Sequence, residues 1–136
     1  MTDEGRILII DDSWIILEKL KDCLIGAGYE VRTTTGPAGA ARHLPSCDLA
    51  IVDFHMPGLN GDEVMKMLRT SPADSSCMFY LYTSDPEIAS KYQRHGFDGS
   101  FLRKGDDKAL VPQVNAVFRT IRMRKLAEKI RSERGR

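Results

Sequence analysis

Nowhere in this 136-residue chain do apolar residues run for the ~18 positions that a membrane helix needs. Residues Met1 to Gly5 carry no basic segment leading into an apolar stretch, so neither a membrane span nor a secretory signal is expected, and the chain reads as cytoplasmic. Cysteine is scarce. Cys23, Cys47 and Cys77 are odd in number and lack CxxC spacing, which argues against a disulfide framework or a thiolate metal site and for buried free thiols in a reducing compartment. No internal repeat and no low-complexity segment occurs. Aromatic residues stop at Phe118, so the last stretch offers no stacking platform and no separate nucleic-acid-binding motif. The length suits one core and leaves no room for a second domain of ordinary size.

The chain is 42% apolar and 29% charged, an ordinary globular balance. Its net charge of +1 conceals an asymmetry: Arg119 to Arg136 hold eight Lys or Arg and two Glu, a net +6, which leaves −5 on residues 1–118. Strand-like and helix-like patterns alternate from the start. Arg6 to Ile10, Glu30 to Thr33, Leu49 to Val52, Met78 to Tyr82 and Gly99 to Leu102 are short runs rich in β-formers, which read as buried parallel strands. Between them, Ser13 can cap a helix carrying Ile16, Leu20, Cys23 and Ala27 and stopped by Gly28. Pro37 to Leu44 form a second helix broken by Pro45. Met56 to Gly58 turn the chain, and a third helix, Gly61 to Arg69, faces Val64, Met65 and Leu68 inward and ends at Ser71-Pro72. Asp85-Pro86 open a short helix ended by Gly96, and Lys104 to Asp107 lead into a long last helix. Five parallel strands need right-handed helical crossovers, which predicts an α/β doubly wound sheet with helices on both faces.

Acidic residues stand where two strands end: Asp11 and Asp12 after the first, Asp53 after the third. In an open α/β sheet the ligand crevice lies at the carboxyl ends of the strands, beside the switch point in strand order. Three carboxylates gathered there repel one another and are costly to bury unless a cation joins them. Thr83 ends the fourth strand, and Lys104 follows the fifth. Carboxylates, hydroxyl and ammonium together suit a divalent cation and a phosphoryl group, and hard oxygen donors favour Mg²⁺.

These residues, in their order and spacing, resemble the receiver domain of bacterial two-component response regulators, from about Gly5 to about Thr120. The Asp11-Asp12 pair, Asp53 to Gly58 with Gly61 beyond, Thr83-Ser84, and Phe101 three residues before Lys104 carry the likeness. The resemblance implies the flavodoxin-like strand order 2-1-3-4-5 and a non-enzymatic switch. Asp53 would accept phosphate from a histidine kinase or phosphotransfer protein in a phosphorelay. Asp11 and Asp12, with Asp53 and the backbone carbonyl of His55, would hold Mg²⁺, Asp11 acting through water. Thr83 and Lys104 would contact the phosphoryl oxygens, and Thr83 with Phe101 would form the switch. His55, Ser84 and Asp85 occupy tuning positions, and a His55–Asp85 pair would screen the phosphoryl group. His43 and His95 carry no functional signal. One departure stands out: Gly105 follows Lys104 where the family usually has a proline after a cis bond.

Residues 1–120 are thus expected to form the receiver, and residues 121–136 a basic extension of the last helix. Val114, Phe118 and Ile121 should pack on the sheet, whereas Met123, Leu126, Ala127 and Ile130 form a second stripe suited to a homodimer or a partner protein. Nucleic acid is the weakest candidate partner. Two other functions compete. A receiver fold can serve as a docking or dimerisation module without phosphorylation. A phosphatase of the haloacid-dehalogenase type also uses an Asp nucleophile with Mg²⁺, but it wants Asp where this chain has His55, and no cap domain fits the length.

Overall fold

The computed structural model describes residues 5–40, 42–56, 59–69 and 77–135, except the side chains of residues 37, 55, 56 and 59–61. The main sheet contains β1 (Arg6–Ile10), β2 (Glu30–Thr34), β3 (Leu49–Asp53), β6 (Met78–Tyr82) and β7 (Gly99–Phe101). All are parallel, in the order β2-β1-β3-β6-β7, which is the expected 2-1-3-4-5. A two-residue antiparallel pair, β4 (His55–Met56) and β5 (Leu59–Asn60), was not expected; it brackets the predicted turn, whose Pro57 and Gly58 lie outside the described residues. The helices are α1 (Trp14–Gly26), α2 (Pro37–Ala40), α3 (Gly61–Arg69), α4 (Pro86–Ser90) and α5 (Asp107–Arg134).

Side chains alternate across each strand and divide the core in two. Leu8, Ile10, Ala50, Val52, Phe79 and Leu81 meet Val64, Met65 and Leu68 of α3 on one face. Ile7, Ile9, Leu49, Ile51 and Phe101 meet Leu17, Leu20 and Leu24 of α1 and Val114, Phe118 and Ile121 of α5 on the other. The central strands are buried on both faces, which accounts for their uninterrupted apolar character.

Local differences have local causes. The buried face of α1 is Leu17, Leu20 and Leu24. Leu20 stands as expected and Ile16 packs partly buried beside it, while Leu17 and Leu24 lie one position beyond the expected Ile16 and Cys23. The run Trp14 to Leu17 is apolar throughout and offers several registers. Described helix in the second segment ends at Ala40, and Pro45 sits in the first turn of a separate 3₁₀ helix, Leu44–Ser46, where its missing N–H costs nothing. After α4 the chain tightens into a 3₁₀ turn, Tyr92–His95, before Gly96 ends it with φ of 86°. Ser13, Asp85 and Asp106 cap α1, α4 and α5 by accepting backbone amide hydrogen bonds. The expected stop of α3 at Ser71-Pro72 lies outside the described residues.

Candidate functional site

Strand register assembles the site. Ile10 pairs with Val52, Asp53 with Tyr82, and Tyr82 with Phe101, so Asp11, Asp53, Thr83 and Lys104 emerge within a few residues of one level at the sheet's carboxyl edge. Asp11 and Asp53 are buried there, 2% and 7% exposed, while Asp12 is open to solvent. Each of the three offers a carboxylate oxygen within 4.8 Å of the others. The Lys104 ammonium donates to Asp53 Oδ1 at 3.0 Å and to Asp11 Oδ2 at 3.4 Å. Asp11 Oδ1 also accepts the Ser13 amide, which ties the carboxylate to the entry of α1.

Three carboxylates and one ammonium leave a formal charge of −2, and two of the carboxylates are buried where like charges cost most. A divalent cation keeping several waters neutralises that excess with hard oxygen ligands, so the donor set fits Mg²⁺. The exposed Asp12 leaves one side of the cluster open to water and to an incoming group.

Thr83 is buried beside this cluster, and its hydroxyl accepts the Asp85 amide at 3.2 Å. Phe101 is fully inside, its ring stacked on Tyr80 with centroids 4.7 Å apart. Ser84 is exposed. Asp85 caps α4, its Oδ1 accepting from Glu87 N and Ile88 N. The backbone of His55 lies in β4; its side chain, and with it the expected pairing to Asp85, lies outside the described residues.

Two features escaped the sequence reading. Tyr82, buried at the end of β6, places its ring 5.6 Å from the Lys104 ammonium, and its hydroxyl accepts the Gly105 amide at 3.3 Å. Burial, foremost, raises the Tyr82 phenol above its ordinary pKa, so it stays neutral near pH 7. The Lys104–Gly105 bond is trans, and the loop turns through Arg103 at φ of 64° and Gly105 at φ of 100°. Glycine permits that second left-handed turn without strain. An aromatic at a strand end, facing the same way as Tyr80 two residues earlier, was the available signal. The second feature is His95, whose Nδ1 lies 2.6 Å from Asp62 Oδ1 and whose ring meets Phe54 edge-on, joining α3 to the 3₁₀ turn. The partners are separated by 33 residues, so no local pattern could reveal them.

The family model of the response regulator receiver domain matches residues 7–115, which include every carboxylate, hydroxyl and ammonium of this site. The chain belongs to that family. Protein PilH of Pseudomonas aeruginosa is 29% identical over 118 residues, covering 84% of this chain and 98% of PilH. Other curated relatives are longer, and the chain spans about half of them or less, 52% in one case and 17% in another. Among solved structures, the chemotaxis response regulator CheY4 of Vibrio cholerae matches with a TM-score of 0.71 and 25% identity over 84% of this chain and 98% of that one. The response regulator protein TrrA of Thermotoga maritima, in complex with Mg²⁺ and BeF, matches with a TM-score of 0.67 and 30% identity over 82% and 97% of the two chains. As a receiver of this family, the chain has the flavodoxin-like architecture that its strand order shows.

Proposed function

We propose that this receiver works as a phosphorylation switch, taking a phosphoryl group onto Asp53 from a histidine kinase or phosphotransfer protein. The observation that carries the reading is the Lys104 ammonium, 3.0 Å from Asp53 and 3.4 Å from Asp11, within a three-carboxylate cluster of net −2. A carboxylate oxygen of Asp53 forms the new O–P bond as the donor's own bond to phosphorus breaks and the leaving group departs with that electron pair, giving an acyl phosphate. Asp11, Asp12, Asp53 and the His55 carbonyl would hold Mg²⁺, which supplies charge neutralisation for the phosphoryl oxygens. Once an Asp53 oxygen is committed to phosphorus, the ammonium is free to swing onto a phosphoryl oxygen, and the Thr83 hydroxyl can donate to another.

Thr83 then moves toward the phosphoryl group and the ring of Phe101 fills the space it vacates, a change at the β6–β7–α5 surface that a partner can read. A His55–Asp85 pair would limit water at the acyl phosphate. Residues 1–120 carry this machinery, and residues 121–136 extend the last helix as an output element, through a partner protein or self-association. The protein is a stoichiometric switch acting in the cytoplasm, without catalytic turnover of its own.

Incubation with acetyl phosphate and Mg²⁺ tests the reading. Stoichiometric labelling, mapped by mass spectrometry to Asp53 and abolished in Asp53→Asn, is expected. Absence of labelling would favour a docking module used without phosphorylation, and steady hydrolysis of the donor would favour an enzyme.

A further inference from the structure

The receiver function leaves the second half of α5 unexplained. Buried residues Leu110, Val114, Val117, Phe118 and Ile121 end the face that packs on the sheet, yet the helix continues without a break to Arg134. At about 100° per residue, Met123, Leu126, Ala127 and Ile130 fall on the side roughly opposite that face. They point away from the body, and Met123, Leu126 and Ile130 are 68%, 54% and 42% exposed. Met123, Leu126 and Ile130 follow one another at steps of three and four residues, the spacing of a seam built to pack against another helix. The side toward the body is held by Lys125, whose ammonium meets Asp48 at 3.2 Å, and by Arg124, which reaches Met78 Sδ.

Charge decides the occupant. Arg122 and Lys129, with Glu133, flank the seam on one edge and Arg131 on the other, while Arg119 and Arg134 stand at its two ends. The helix dipole accounts for the bases of the last turn but not for Arg119 to Lys125, several turns upstream. Arg119, Arg122, Lys129, Arg131 and Arg134 against Glu133 give this outer side a net +4, so two copies packed through the seam would bring two basic faces together. Like charges at those edges oppose pairing, whereas carboxylates there favour it.

We propose that the outer face of α5 docks an amphipathic helix of a partner protein whose apolar seam is edged by Asp or Glu. This names the partner class in the proposed function and rests on that reading only for its place in signalling; docking itself needs no phosphate.

The test titrates the full chain with a 21-residue synthetic helical peptide carrying Leu at its seam and Glu along both edges, followed by fluorescence anisotropy. Saturable 1:1 binding is expected, weakened at least tenfold in Leu126→Gln/Ile130→Gln and again in Arg122→Glu/Lys129→Glu, and weakened by added salt. A peptide with Lys in place of Glu should not bind. The proposal is overturned if the parent fails to bind the Glu peptide, if the seam variant binds it equally, or if light scattering shows the chain alone to be a seam-dependent dimer. Tighter binding to phosphatidylserine vesicles or duplex DNA than to the peptide, insensitive to the seam variant, also overturns it. Acetyl phosphate labelling of the same samples separates the two ideas: labelling without peptide binding sinks the docking surface alone, and binding without labelling sinks the phosphoswitch alone.

Discussion

At the scale of single residues, the site works by leaving charge unbalanced. Lys104 compensates one of three carboxylates, so the cluster gains most from a ligand that brings two positive charges. Asp12→Asn should therefore be slightly more stable than the parent in EDTA, because it removes a like charge. It should also lose most of the parent's thermal stabilisation by Mg²⁺, which for saturating cation at about 100 times Kd is about 2.7 kcal/mol. Melting curves of both proteins with and without Mg²⁺ check this, and an unchanged Mg²⁺ response in the variant would place the cation elsewhere. Tyr82 is a positioning residue: it holds the backbone after Lys104 by one hydrogen bond and lies under the ammonium. Tyr82→Phe keeps the ring and loses a bond worth about 1 kcal/mol. Labelling by acetyl phosphate is expected to slow about fivefold with Mg²⁺ affinity unchanged, and Tyr82→Leu to slow it further by removing the aromatic face.

At the scale of elements, strands were legible and helix faces less so. β1, β3 and β6 are compact apolar runs, each ended or followed by a polar residue, and they stand where the pattern puts them. Asp11, Asp53, Thr83 and Lys104 were legible for the same reason, because a strand end fixes both position and direction. The register of α1 was not, since its first turn is apolar on every side, and Tyr82 was hidden because its partner, Gly105, comes from a loop 23 residues on. Asp85 shows how one side chain can serve an element and a site together. It caps α4, so Asp85→Ala should cost about 1 kcal/mol in urea unfolding, whereas Asp85→Asn, an equally good cap, should cost almost nothing. Both remove the carboxylate proposed to pair with His55 and should shorten the lifetime of the acyl phosphate to a similar degree. A lifetime that tracks stability instead, changed in Ala but not in Asn, would assign Asp85 to the cap alone.

At the scale of the whole molecule, an acidic body of −5 carries a basic rod of +6, joined by one continuous helix. The first half of α5 shares the core with Ile7, Ile51 and Phe101, so its amides should open only with the fold as a whole. The second half has exposed side chains throughout, and its described ties to the body are Lys125 to Asp48 and Arg124 to Met78. An exposed ion pair contributes about 0–1 kcal/mol, and a helical stretch this short is marginal in water without tertiary packing. Hydrogen exchange along α5 should therefore fall into two regimes, with protection near the global value through Ile121 and a steep decline between Arg124 and Arg134. Raising the salt concentration should deepen the decline by screening Lys125 from Asp48. A saturating acidic helix should reverse it, because packing the outer seam couples the rod to a second helix. Uniform protection along the whole of α5 in the free protein would mean that the rod is held by the body itself, and the outward seam would then owe its order to contacts within one chain.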